Sequence, residues 1–426
     1  MHDQRKVREE LDEKARQFQE EKIQRFRTVY DTIFEHYRNH NLSRDVLTLL
    51  DVLLEISPEQ YTFFGYRRRI LEASWIAAEK TDKKAENAAV DNDTLSPGDA
   101  TSSNATDDDT PLATLLRTND LEREYLLNTG VIMKDMKVYS AFVHRRWIFD
   151  RMTLERRRVL LSGELKKCEA LLKLDERNFH AWGYRRWVTE ELRAASGGGA
   201  VVGASEETQT APLVEALYTD ADEWKFTEAK INQNFSNYSG WHNRGLLLDR
   251  LIVGGSSSSP TSVPESDDAI ATRIQHEMDL ALKAFYCDPN DQSAWLYGEF
   301  ILRSLKQRLA GQPPQGGGSQ HEALRAVYLS SLQTMVACCE ELGAECAQER
   351  NDSVQQQQQQ QQTSSIPQVL SGAYVLWMRL VIVLHHVNNE VVEVVTGWGS
   401  PHAIVDELTT VDPLRAGMYR AMVVAA

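Results

Sequence analysis

Asn178-Phe179-His180-Ala181-Trp182-Gly183-Tyr184-Arg185-Arg186-Trp187 sets a frame that recurs along the chain. With Phe179 as anchor, the same frame fits Tyr61, Tyr139, Tyr238, Gln292, Tyr374 and Ala416. Three residues after each anchor stand Phe64, Phe142, Trp182, Trp241, Trp295, Trp377 and Tyr419. Six after come Arg67, Arg145, Arg185 and Arg244, then Gly298, Leu380 and Met422. A fixed internal frame marks a repeat architecture.

The spacing is helical. Anchor, anchor+3 and anchor+10 share one side of a 3.6-residue helix, and anchor+10 reads Leu71, Phe149, Thr189, Leu248, Leu302 and Leu384. On this pattern the anchor aromatics are expected to pack in the core. Four residues before the anchors stand Ser57, Asp135, Asp175, Asn234, Asp288 and Asp412, with Leu370 as the exception. These residue types suit N-caps, and Pro58, Pro289 and Pro413 after three of them suit a first turn.

A second amphipathic stretch precedes each cap: Val46 to Ile56, Leu121 to Met133, Leu165 to Leu174, Trp224 to Ile231 and Met278 to Tyr286. Each repeat is therefore a helical hairpin. One hairpin cannot bury its apolar face alone, so the hairpins must stack. The expected fold is all-α: a crescent-shaped, right-handed superhelix, or alpha-alpha solenoid, of about seven hairpins, the last incomplete. It would form a single repeat domain over 1–426. Segments 79–112, 195–212, 253–267, 310–320 and 348–366 are rich in Ser, Gly, Asp or Gln and are expected to be disordered inserts. With them removed, most anchor spacings fall to about 40 residues.

The net charge of −15 sits mostly in those inserts, so the acidic balance is solvated linker and gives no reason to expect a nucleic-acid partner. Cys168, Cys287, Cys338, Cys339 and Cys346 show no CxxC spacing and read as reduced thiols of a cytoplasmic protein. The charged start is unlike a secretory signal. Tyr374 to Val395 is apolar but contains Arg379, His385, His386, Glu390 and Glu393, so it reads as a buried helix and not a membrane span. Asp3 to Arg38 reads as a long amphipathic helix.

These units resemble the repeats of protein prenyltransferase alpha subunits, whose signature is Asn-Tyr-x-x-Trp-x-x-Arg. The resemblance covers roughly Tyr30 to Tyr419. Within the family it is greatest to the type II branch, which geranylgeranylates Rab GTPases. Asn178 to Trp187, Asn234 to Arg244, Asp288 to Trp295 and Val411 to Ala416 carry it, and Met1-His2 is similar to the way that branch begins. Phe64 and Phe142 depart from the family's Trp, and Gly298 from its basic or aromatic residue. The leucine-rich repeats and immunoglobulin-like insert of animal members are not seen, which implies a compact form.

The resemblance implies an enzyme active only as a heterodimer. This chain would wrap a beta subunit that holds zinc and geranylgeranyl diphosphate. The pair would transfer the C20 lipid to carboxy-terminal cysteines of Rab GTPases presented by an escort protein. Lys137 matches the family lysine that reaches the leaving diphosphate, where a positive point charge is useful. Tyr139 and His180 neighbour the same place. His2 could reach the partner's zinc. Ser140 is too short to hold a CaaX carboxylate as a farnesyl-type Gln does.

Each residue also has a plainer reading. Lys137 can be a solvated helix-start lysine, Tyr139 a packing residue, His180 a rim histidine and His2 a loose terminus. The stripe Arg67, Arg145, Arg185 and Arg244 reads better as structural, bonding carboxylates or helix-end carbonyls, with Glu55, Asp150, Asp175, Glu190 and Asp249 near in sequence. Cys338-Cys339 and His385-His386 read as core thiols and helix-surface histidines, and no cofactor is expected on this chain itself. Two rivals remain. One is the alpha subunit shared by farnesyltransferase and geranylgeranyltransferase type I, acting on CaaX proteins. The other is a non-catalytic helical-repeat adaptor; its tetratricopeptide-like form would repeat at about 34 residues.

Overall fold

The computed structural model describes residues 13–92, 111–197, 218–253, 266–310, 321–360, 370–387 and 395–425. His2 lies outside them. Among the described residues there is no strand. The α-helices are α1 (Glu13–Arg38), α2 (Asp45–Ile56), α3 (Tyr61–Asn92), α4 (Leu112–Lys134), α5 (Tyr139–Arg151), α6 (Leu154–Leu174), α7 (Phe179–Gly197) and α8 (Asp220–Gln233). There follow α9 (Tyr238–Val253), α10 (Asp267–Cys287), α11 (Gln292–Ala310), α12 (Glu322–Gln360), α13 (Ala373–His385), α14 (Pro401–Val411) and α15 (Ala416–Ala425). The all-α hairpin series expected from the repeat is present.

The chain, read from sequence as one domain, divides into two compact units, Met1–Val188 and Thr189–Ala426. In the first, α1 packs on α2, α3 on α4 and α5, and α4 on α5. In the second, α8 packs on α9, α9 on α11, α10 and α11 on α12, and α13 on α14.

The N-caps differ from expectation by three residues. Ser57, Asp135, Asp175, Asn234, Asp288 and Asp412 are C-caps of the preceding helices α2, α4, α6, α8, α10 and α14. Four of them turn the chain: their side-chain oxygens accept the amide N–H of Lys137 (2.9 Å), Arg177 (3.1 Å), Ser236 (2.9 Å) and Asn290 (2.9 Å), two residues on. Asp and Asn suit such Asx turns as well as they suit N-caps, so residue type alone did not fix the register. The N–H groups of the next helix are capped from the residue just before the anchor. Asn178 Oδ1 accepts from His180 and Ala181, Asn237 Oδ1 from Gly240, and Asp291 Oδ1 from Ser293.

The anchor+3 residues form the core. Phe64, Phe142, Trp182, Trp241 and Trp295 are at most 5% exposed. Each indole donates to the carbonyl three residues before its anchor: Trp182 to Glu176 (2.8 Å), Trp241 to Phe235 (2.7 Å) and Trp295 to Pro289 (3.0 Å). Tryptophan thus fills the core and ties down the turn before the helix. Trp377 is only partly buried. At Gly298 a Cβ would come within 2.7 Å of Met335 and 3.0 Å of Phe285. Neighbouring helices pass too close there for the Arg of other repeats.

Four of the anchors themselves lie outside. Tyr61 is 67% exposed, Tyr139 61%, Phe179 71% and Tyr238 49%, which corrects the expectation that they pack in the core. At ~100° per residue, positions +3, +6 and +10 centre about 80° away from the anchor. The anchor stands at the edge of the buried arc, on the first turn, where little covers it.

Two expected inserts are partly helical. α3 continues through Glu79 to Asn92, and α12 through Gln348 to Gln360. These stretches are rich in Ala, Glu, Lys or Gln, and extending an existing helix needs no new nucleus. They also make contacts. Asp82 accepts the Ala113 amide at the start of α4 (2.8 Å), and Arg350 bonds the Ser371 carbonyl (2.7 Å) and Glu407 (3.1 Å). Replacing 93–110 by a short Gly-Ser linker should therefore leave the melting temperature unchanged. Replacing 79–110 should cost about 1 kcal/mol through the lost cap. Equal melting temperatures would contradict the role given to Asp82.

Candidate functional site

Two inter-helix turns in the first unit build the site. In the α4–α5 turn, Asp135 accepts the Lys137 amide and so sets where the Lys137 side chain leaves the backbone. In the α6–α7 turn, Asp175 does the same for Arg177. The turns are laced together. Asn178 Nδ2 donates to the Met136 carbonyl (2.9 Å), and the Lys137 ammonium lies 3.2 Å from Asp175 Oδ2. Lys137 remains 69% exposed at its side chain.

Aromatic contact continues the patch. The Tyr139 and His180 rings are 5.7 Å apart. His180 also lies 6.0 Å from Phe142, nearly parallel to it, and 3.9 Å from Phe179. Burial pushes the His180 imidazole below its ordinary pKa, so at neutral pH it is a neutral ring, able to donate one hydrogen bond and accept another. The Tyr139–His180 ring pair and the lysine that precedes Tyr139 thus lie on two joined turns: a phenol, an imidazole and a cation. Such a trio can receive a phosphate-like anion. Ser140 is buried in α5.

The arginines are structural. Arg67, Arg145, Arg185 and Arg244 are at most 1% exposed. Their partners are not those nearest in sequence. Arg67 grips Glu124 through two bonds of 2.6 Å. Arg145 grips Glu164 at 3.1 and 2.8 Å, and Arg244 grips Glu277 at 2.5 and 2.8 Å. Arg67, Arg145 and Arg244 also each bond a carbonyl of their own hairpin: Leu47, Tyr125 and Trp224. The fork fits a carboxylate in the first helix of the next hairpin. A third group completes each carboxylate: His144 on Glu124 (3.0 Å), Tyr184 on Glu164 (2.7 Å) and Tyr297 on Glu277 (2.8 Å). Arg185 lies 3.8 Å from Glu169.

These glutamates were missed, though the frame contains them. Glu124, Glu164 and Glu277 each lie fifteen residues before an anchor. Burial alone would raise the pKa values of Glu124 and Glu164. At Glu124 the Arg67 charge and the hydrogen bonds from His144 and Arg67 outweigh burial, and at Glu164 Arg145 and Lys167 do so; both carboxyls are held at about 2.

Cys338 and Cys339 are buried core thiols, as expected. His386 is not a surface histidine. It is 3% exposed, pairs with the Tyr328 hydroxyl (3.0 Å), and burial pushes it down to about 4. Among the described residues no group of three or more His, Cys, Asp or Glu is placed to hold a metal ion, and no helix is long and apolar enough to cross a membrane.

Residues 121–152, 161–192 and 220–251 match the protein prenyltransferase alpha subunit repeat. The first two contain every residue of the patch. The geranylgeranyl transferase type-2 subunit alpha of Rattus norvegicus is 27% identical over 341 residues, 80% of this chain and 46% of that protein. The Candida albicans protein of the same description is 27% identical over 311 residues, 69% of this chain and 71% of its own length. The chain spans about half the length of the mammalian relatives it matches. Among solved structures, Candida albicans protein geranylgeranyltransferase-I complexed with GGPP aligns over 93% of this chain and 88% of that chain, at 13% identity and a TM-score of 0.49.

Proposed function

We propose that this chain, built on protein prenyltransferase alpha-subunit repeats, acts as the alpha subunit of a geranylgeranyltransferase type II. Its partner would be a beta subunit carrying zinc and geranylgeranyl diphosphate. The substrates would be Rab GTPases presented by an escort protein in the cytoplasm. The single observation that carries this reading is the patch of Lys137, Tyr139 and His180 inside two matched repeats. Its ammonium stands open where a diphosphate held by another chain could meet it. Growing negative charge on a leaving diphosphate is stabilised by a fixed cation. His180, neutral at pH 7, would donate a hydrogen bond, and Tyr139 would close the aromatic wall.

The exposed anchors support a partner surface. In the first unit, Tyr61, Tyr139 and Phe179 place three large rings in solvent at helix starts. Aromatic residues are enriched in interface cores. An obligate interface of this kind buries above about 2,000 Å². Expressed alone, the chain should be poorly soluble or inactive. Co-expression with a beta subunit should yield a co-eluting pair that transfers the lipid. A monodisperse monomer that prenylates Rab unaided would contradict this.

A further inference from the structure

We infer that Asp175 is a positioning residue that holds the Lys137 ammonium in place for the diphosphate, an inference that rests on the role proposed for Lys137. The argument begins with the lysine. A four-carbon stem that is 69% exposed has many rotamers, and fixing it costs side-chain entropy. A charge that must meet a developing anion gains from having that cost met beforehand.

Asp175 is itself fixed. Its backbone N–H donates to the Leu171 carbonyl (3.0 Å), its carbonyl accepts from Asn178 (3.1 Å), and Oδ1 accepts from Arg177 (3.1 Å). Oδ2 is the atom that faces Lys137 Nζ at 3.2 Å. The separation between the two turns is set by Asn178 Nδ2 on the Met136 carbonyl. That carbonyl stands three residues before the anchor Tyr139. In α7, α9 and α11 the equivalent carbonyl is taken by a tryptophan indole. Here Phe142 has no N–H to give, and the asparagine of the next hairpin takes the place. The departure from tryptophan at position 142 therefore joins the turn carrying Lys137 to the turn carrying Asp175 and His180.

One carboxylate engages one side of an ammonium that has three donors, leaving the others for an anion. An ion pair this exposed contributes little to folding, so its effect on chemistry can be separated from stability.

The test uses the chain co-expressed with its beta subunit, in single-turnover transfer from saturating geranylgeranyl diphosphate to an escorted Rab. Asp175→Asn keeps the shape and the bond from Arg177 but removes the charge. The rate is expected to fall about five-fold, with the melting temperature unmoved. In a Lys137→Ala background the same substitution should change nothing further. An undiminished or raised rate in Asp175→Asn, with Lys137→Ala slow, overturns the positioning role alone. A lowered melting temperature with the same rate loss in both backgrounds makes the pair a structural stitch and also overturns it. Lys137→Ala at the wild-type rate overturns the role of Lys137 and this inference together.

Discussion

Replacing Glu164 by alanine should destabilise the first unit by about 3–5 kcal/mol. The substitution leaves the Arg145 guanidinium, 1% exposed, without its carboxylate. It also strips a partner from the Tyr184 hydroxyl (2.7 Å) and from Lys167 (2.7 Å). Chemical denaturation would read the loss as a large drop in midpoint. Glu122→Ala is the control. Glu122 pairs with Arg156 at 2.5 Å, but both side chains are about a third or more exposed, and such pairs contribute at most about 1 kcal/mol.

The pH dependence has a definite sign. The folded Glu164 carboxyl is held at about 2, below the ordinary value of ~4.3. Its contribution is therefore fully present above that ordinary value and lost as pH falls toward 2. The gap between wild type and Glu164→Ala should be constant from pH 7 to pH 5 and close below about pH 4. Equal midpoints at pH 7 would show that the buried fork does not hold consecutive hairpins together.

Lys137→Ala should slow the chemical step about 10²-fold, or roughly 2.7 kcal/mol. Charge on the leaving diphosphate grows as the carbon–oxygen bond breaks, so the loss should appear in transfer rate more than in lipid affinity. The complex should stay folded, because the only ion pair lost is the exposed one to Asp175. Lys137→Arg should recover part of the rate, since a planar fork cannot place its charge at the same point. Single-turnover transfer with saturating lipid reads this. Unchanged turnover in the alanine variant would remove Lys137 from the site.

Much of the fold was legible because one period runs through it. Trp182, Trp241 and Trp295 recur at the same offset from Phe179, Tyr238 and Gln292, and all three are core. What escaped was register and partnership. Asp175 suits a helix start and a helix end equally by type, and only the backbone decided for the end. Positions +3 and +10 are near the anchor on the helix, which groups it with the core by pattern, yet the buried arc stops short of it. Glu124, Glu164 and Glu277 were in the sequence at a fixed offset, but that offset runs backward from the anchor into the preceding helix. The stretches before Asn92 and Gln360 looked unstructured by composition, while continuity with α3 and α12 favoured helix.

The candidate patch could be named in part from the sequence. Lys137, Tyr139 and His180 could be named from the family resemblance, and the structure brings their turns together. The Asp175 contact could not be named, because it joins residues 38 positions apart and exists only once two hairpins stack. The Asn178 contact with Met136 depends in addition on the phenylalanine at 142. Neither is a motif; each follows from the distance between neighbouring turns.

The central proposal is that this chain completes a lipid transferase acting on escorted Rab proteins. The most direct test is to co-express it with a beta subunit and measure geranylgeranyl transfer from geranylgeranyl diphosphate to two acceptors. These are a Rab GTPase with its escort protein and a CaaX peptide offered alone. The account predicts transfer to the escorted Rab, abolished when the escort is omitted, and little to the peptide. Efficient transfer to the CaaX peptide without an escort, or no transfer to either, would contradict it.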